Sequence, residues 1–178
     1  MMQRRAPMAG GFHSCAIRTD GAVACWGHDG AGQSSLFAGT YSTIAAAFFH
    51  ACGIRTEGTV ACWGDNSNSE ASPRAGTFTA VAAGNGHTCG IRIDGTVACW
   101  GDNYQGAASP PAGTFTAMAA GHIHNCGIRT DGTIACWGDN YSGQSSPPAG
   151  TFTAIAAGGS YSCAIRDIDR GVGCWGTM

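Results

Sequence analysis

The sequence predicts an all-β fold, a β-propeller of about five 37-residue blades, and three observations carry that prediction. The first is a strict period in the cysteines. The first Cys of each pair stands at Cys15, Cys52, Cys89, Cys126 and Cys163, and the second at Cys25, Cys62, Cys99, Cys136 and Cys174. The second is the Trp-Gly that follows every second Cys, at Trp26, Trp63, Trp100, Trp137 and Trp175. The third is patterning: each unit divides into three short alternating segments with turn residues between them, and no segment has a helical period. Units of this size cannot bury both of their faces alone and stack radially. The chain reads as a single repeat domain over 1–178, with hairpin units near 11–27, 48–64, 85–101, 122–138 and 159–176.

The unit from Gly113 to Ala149 shows how each element arises. The stretch from Thr114 to Ala120 alternates large and small residues and stops at Gly121, so it predicts a strand. Its alanines suit the crowded place where strands of several units converge. His124 to Arg129 and Thr133 to Trp137 then flank Thr130-Asp131-Gly132, a three-residue loop with Gly last. Such a loop matches a type I turn closed by a G1 bulge, so the two segments form a hairpin. The Asp-Asn-Tyr-Ser-Gly-Gln and Ser-Ser-Pro-Pro stretches after it are loop chemistry.

The hairpin register follows from the loop. With Thr19-Asp20-Gly21 as the turn, Arg18 and Ala22 close it as a hydrogen-bonded pair. Alternation then makes Cys15 and Cys25 a non-hydrogen-bonded pair, the antiparallel site where side chains come closest and a disulfide fits. The same register predicts Cys52–Cys62, Cys89–Cys99, Cys126–Cys136 and Cys163–Cys174, the last across a loop lengthened by one residue at Asp167 to Arg170. Each Trp lies on the opposite face from its neighbouring Cys, so Trp26, Trp63, Trp100, Trp137 and Trp175 are expected to pack between blades. Four inner strands begin near Thr40, Thr77, Thr114 and Thr151. The fifth falls at Arg4 to Gly10, where Arg4 replaces the aromatic and Pro7 cannot donate to a ladder. Two architectures are therefore open: a closed five-blade ring, or an open arc of a larger propeller that leaves a sheet face exposed.

Composition excludes several function classes. Formal net charge is −2 and the nine basic residues are all Arg, so no basic field is present for nucleic acid. No run of 18 apolar residues predicts a membrane span. Ten cysteines point to an oxidising compartment, extracellular or periplasmic, yet Met1 to Met8 shows no apolar core of a signal peptide.

Candidate sites are few. His13/Cys15, His50/Cys52, His87/Cys89 and His124/Cys126 place His and Cys on one strand face, a possible zinc environment, but Tyr161 breaks the series and cross-strand disulfides account for the cysteines. No metal and no cofactor is expected. Arg18, Arg55, Arg92, Arg129 and Arg166 recur at one rim beside turn acids, which predicts solvated charges or hairpin ties. Asn103 and Asn140 belong to turn-forming Asp-Asn loops, and Tyr104 and Tyr141 next to them are the binding candidates. His28 and His122 fall off the pattern and read as surface or packing residues. No His–acid–nucleophile set is present in any unit, so no catalytic residue is assigned.

The repeated elements Ala-Ala-Gly, His-x-Cys-x-Ile-Arg, Asp-Gly-Thr-Val, Cys-Trp-Gly and Asp-Asn-x-x-Gly-Gln resemble the regulator of chromosome condensation repeat family, over Gly39 to Gly176. Known members form seven-bladed propellers and include a nucleotide-exchange factor on chromatin, a plant ultraviolet receptor and a bacterial inhibitor protein of β-lactamases. The short, cysteine-paired unit is most similar to the bacterial inhibitor branch. The resemblance implies a non-enzymatic module presenting loops to a protein partner. Glycan binding between blades and self-association through open blade edges, into rings or filaments, are the alternative expectations. Exchange activity toward a small GTPase finds no basic tail or inserted wedge here.

Overall fold

A computed structural model describes residues 8–35 and 37–178. It contains five antiparallel three-stranded sheets in sequence order. They are β1–β3 (Met8–Ala9, His13–Ile17, Val23–Gly27), β4–β6 (Tyr41–Ala46, His50–Arg55, Val60–Gly64) and β7–β9 (Phe78–Ala83, His87–Arg92, Val97–Gly101). The last two are β10–β12 (Phe115–Ala120, His124–Arg129, Ile134–Gly138) and β13–β15 (Phe152–Ala157, Tyr161–Arg166, Val172–Gly176). In each of the last four sheets the inner strand shifts register after its first residue, as at Tyr41/Thr43. The expected inner strand of the first unit survives among the described residues only as Met8–Ala9; Arg4 to Pro7 lie outside them.

Every hairpin holds the register that its turn dictates. Cys15 faces Cys25, Cys52 faces Cys62, Cys89 faces Cys99, Cys126 faces Cys136 and Cys163 faces Cys174. All five pairs are disulfides, with Cα–Cα separations of 4.0 to 4.1 Å. The turn acids stabilise the loops directly: Asp94 Oδ1 accepts from the Thr96 amide at 2.9 Å and Asp131 Oδ1 from the Thr133 amide at 2.9 Å. The Gly after each Trp has positive φ, 99° at Gly64, and a Cβ there would overlap the Phe49 carbonyl. Trp-Gly is therefore a strand end where only Gly lets the chain pass close to the next loop.

The core lies between sheets, in four joints of one design. An aromatic at the head of an inner strand and the Trp of the same sheet cover the disulfide face of the preceding sheet. Tyr41 and Trp63 cover Cys15 and Val23; Phe78 and Trp100 cover Cys52, Ile54 and Val60; Phe115 and Trp137 cover Cys89 and Ile91. Phe152 and Trp175 close over Ile128 in the fourth.

The series is an open arc. Trp26 is 52% exposed, against 4% for Trp63, because no preceding sheet covers it among the described residues. This corrects the expectation that all five Trp pack between blades. At the other end Val172 is 67% exposed and Cys174 is exposed, whereas their counterparts Val60 and Cys99 are buried. Both observations exclude a closed five-blade ring. The ends of all five inner strands still face one axial cavity of about 190 Å³, lined by Gly and Ala with Phe48 and His122 at its mouth.

Candidate functional site

The repeated histidines are consumed by the joints. Trp63, Trp100, Trp137 and Trp175 donate their indole N–H to the carbonyls of Gln33, Glu70, Ala107 and Gln144 in the preceding unit, at 2.8 to 3.1 Å. In three joints the same carbonyl accepts a second bond, from Thr88, Asn125 or Ser162. Those three side chains lie 2.8, 3.1 and 2.8 Å from Nε2 of His50, His87 and His124. A hydroxyl that donates to the carbonyl must accept from imidazole, so His50 and His124 carry their proton on Nε2. Their Nδ1 atoms are buried without a partner among the described residues. Protonation would create a second N–H with nothing to receive it, and burial holds both pKa values down at about 4. His87 is lowered in the same direction, by burial first. At the first joint Ala51 stands where the hydroxyl would be, and neither ring nitrogen of His13 has a partner among the described residues.

The rim charges are consumed by their turns in a similar way. Arg92 and Arg129 lie 5.2 and 5.1 Å over the rings of Phe78 and Phe115 and donate to the carbonyls of Ala75 and Ala112. They tie each hairpin to its own inner strand. Arg166 instead pairs with Asp169 at 3.0 Å. Hydrogen bonds from Thr96 and Thr133 are the first cause of the lowered pKa of Asp94 and Asp131.

The opposite rim, at the mouth of the axial cavity, has a different character. Backbone bonds set three rows around it. His28, Asp65, Asp102 and Asp139 donate their amides to the carbonyls of Phe12, Phe49, Gly86 and Ile123 at 2.7 to 3.0 Å. Inside those lie Gly11, Phe48, His122 and Gly159, which line the cavity, and Asn85, whose amide donates to the His122 carbonyl. The strands and hairpin turns repeat closely, whereas at this rim each unit carries a different pair: Gly-Phe, Phe-Phe, Asn-Gly, His-Ile and Gly-Ser. The divergent residues form an aromatic cluster. Phe12 stacks on Phe49 with ring centroids 5.1 Å apart and meets Phe48 at 6.2 Å; Phe48 meets His122 edge-on at 5.3 Å. Phe12 and Phe49 are both exposed, Phe12 by 54%.

Tyr104 and Tyr141 stand on the loops behind this rim, Tyr141 at 97% exposure. Tyr104 belongs to a short 3-10 turn, Tyr104–Gly106, and lines a pocket with Phe49 and His122. Asn103 and Asn140 are exposed, and their Oδ1 atoms accept from the amides of Ala108 and Ser145 in their own loops at 2.9 Å. The phenylalanines of the mouth were not singled out from the sequence. The signal that finds them is the local failure of an otherwise faithful repeat.

Comparison with known proteins follows the same architecture. The model of the regulator of chromosome condensation (RCC1) repeat matches residues 9–33, 41–70, 78–107 and 115–144. The fold is similar to the ectodomain of the Physcomitrella patens receptor kinase CR4, with a TM-score of 0.85 and 24% identity over 97% of this chain and 52% of that one. It is also similar to the CRINKLY WD40 ectodomain of the Arabidopsis thaliana receptor kinase ACR4, with a TM-score of 0.80 and 26% identity over 99% and 67%. A third structure is Prp20p of Saccharomyces cerevisiae, described with its binding to Gsp1p and histones, with a TM-score of 0.83 and 17% identity over 96% and 57%. The chain thus spans about half the length of the first of these, 52%. No curated protein sequence matches it.

Proposed function

The chain belongs to the regulator of chromosome condensation repeat family, and from that premise we propose that it is a non-enzymatic protein-interaction module whose contact surface is the mouth rim. The observation that carries this reading is the exposed Phe12–Phe49 stack, set where the repeats diverge. Isolated apolar residues on a surface are ordinary, and a stacked, exposed aromatic pair with further rings beside it supports the reading of an interaction surface. The remaining polar groups support a binding role over a catalytic one. Histidines His50, His87 and His124 sit inside joints, and the turn acids bond their own loops. Prp20p, of the same fold, is described with protein partners. Five disulfides fit an oxidising, extracellular-type setting, and no helix among the described residues is long and apolar enough to cross a membrane.

The test is a pull-down with the oxidised chain, the double variant Phe12→Ser/Phe49→Ser, and Ile93→Ser as a control. Ile93 is exposed on the opposite, turn-bearing rim. One partner should be captured by the wild type and by I93S and lost with the double variant. Loss with I93S and retention with the double variant would place the contact on the other rim.

A further inference from the structure

Charge is divided unequally between the two rims. Asp20, Glu57, Asp94, Asp131, Asp167 and Asp169 sit in the hairpin turns, among the arginines of the repeat. The other acids, Asp29, Asp65, Glu70, Asp102 and Asp139, follow the Trp-Gly strand ends on the mouth side. Among the described residues one arginine accompanies them, Arg74, which lines a groove with Gly101 and Asn103, and the chain has no lysine. A small charge imbalance over the whole protein therefore conceals one acidic rim and one nearly neutral rim. The acidic rim is also the one that carries the exposed aromatics.

The two features meet in a pocket of about 190 Å³ between the loops of the second, third and fourth sheets. Its lining includes Asp65 and Asp102 together with Phe49, Tyr104 and His122. The Asp65 pKa is held down, first by a hydrogen bond from the Ser67 hydroxyl, so this carboxylate stays ionised. The volume is below the roughly 300 Å³ at which sites for drug-sized ligands begin, so it suits a single side chain. Carboxylates attract a cation, and aromatic rings receive it on their faces while lining its aliphatic stem.

Resting on the reading of the mouth rim as a protein-contact surface, we propose that its partner presents a basic, apolar peptide segment. A lysine or arginine of that segment enters between Asp65 and Asp102, and an apolar neighbour lies on the Phe12–Phe49 stack. The occupant is fixed by charge complementarity: a rim whose aspartates outnumber its one arginine favours a cationic partner and repels an acidic one.

Two fluorescein-labelled octapeptides, one alternating Arg and Leu and the other Glu and Leu, test this by anisotropy against the oxidised full chain. The Arg-Leu peptide should bind, and added salt should weaken it. Asp65→Asn/Asp102→Asn should weaken it about tenfold or more, since loss of an ion pair of roughly 1.4 kcal/mol is a factor of ten. Asn keeps the oxygen that each loop uses, so the variant retains its turns. Asp94→Asn/Asp131→Asn, on the other rim, should leave binding unchanged. Equal binding of the Glu-Leu peptide, equal damage from the other rim, or displacement by a neutral oligosaccharide such as chitohexaose would overturn the proposal. If the partner from the pull-down depends on Phe12 and Phe49 but ignores D65N/D102N, the cationic assignment fails while the mouth-rim contact stands.

Discussion

The joint between the fourth and fifth sheets and the joint between the first and second share one scaffold and differ at the residue that faces the histidine. In the former, His124 Nε2 lies 2.8 Å from Ser162 Oγ, which donates onward to the Gln144 carbonyl that also receives Trp175. In the latter, Trp63 still donates to Gln33 and Tyr41 still covers the disulfide face, but Ala51 leaves His13 unanswered. The comparison separates two contributions. The aromatic plug with its indole bond recurs in every joint and is sufficient to hold one. The His–hydroxyl bridge is an addition that one joint lacks. The two ends of the arc extend the contrast, since among the described residues Trp26 has no joint to enter and Val172 has no plug to cover it.

The largest expected effect isolates the plug. Trp137→Ala removes a buried indole and its bond to Ala107, and should cost about 3–5 kcal/mol of unfolding free energy. Trp26→Ala removes the same side chain at an open end and should cost under about 1 kcal/mol. Denaturant melts of the two variants compare them directly. Equal losses would mean that Trp26 is covered in solution, by another copy or another chain, and would break the distinction between end and interior.

Acid isolates the bridge. His50 and His124 titrate at about 4 in the folded chain, below the ordinary 6.5, so the unfolded chain takes up protons first as pH falls. Their stabilisation is complete above about pH 6.5 and is lost progressively as pH falls toward 4. A shift of this size corresponds to about 3 kcal/mol for each group. The turn acids Asp94 and Asp131, also held below their ordinary value, lose their contribution only at lower pH. Melts at pH 7, 5.5 and 4.5 should therefore show a steep fall before the carboxylates begin to titrate. A flat profile across that range would contradict the assignment of a neutral, Nε2-protonated imidazole to these joints.

Legibility from sequence followed the range of the physics involved. The hairpin register and the five cysteine pairs were readable because each is set by a three-residue turn and strict alternation, both local. The role of Trp as an inter-sheet plug was readable from the face it shares. Its failure at Trp26 was not, because whether a preceding sheet exists depends on the arc rather than on the unit. The joint histidines were noticed as a series with Cys, but their partners lie 38 residues on, in the next unit, and sequence spacing within one unit cannot reveal that. The mouth aromatics were missed for the opposite reason. Phe12, Phe48 and Phe49 stand at positions that differ from unit to unit, so the period carries no information about them.

The smallest expected effect is the sharpest test of the comparison, because it rebuilds the bridge at the one joint without it. Ala51 occupies the position held by Thr88, Asn125 and Ser162, and is fully buried. Ala51→Ser adds one oxygen and no branch, so its hydroxyl can accept from His13 Nε2 and donate to the Gln33 carbonyl, as Ser162 does with His124 and Gln144. It should stabilise the chain by about 1 kcal/mol, the net value of a typical buried hydrogen bond. Ser162→Ala is the reverse operation and should cost about 1–3 kcal/mol, because it orphans a buried donor that had a partner. The two changes should also act oppositely on acid sensitivity. S162A takes an acceptor away from the His124 ring, which disfavours its protonated form further and increases acid sensitivity, whereas A51S supplies one to His13 and reduces it, as the Asn125 contact acts to raise the pKa of His87. A fall in the melting midpoint for A51S would show that the first joint is packed too tightly to admit an oxygen, and that its histidine is held by shape alone.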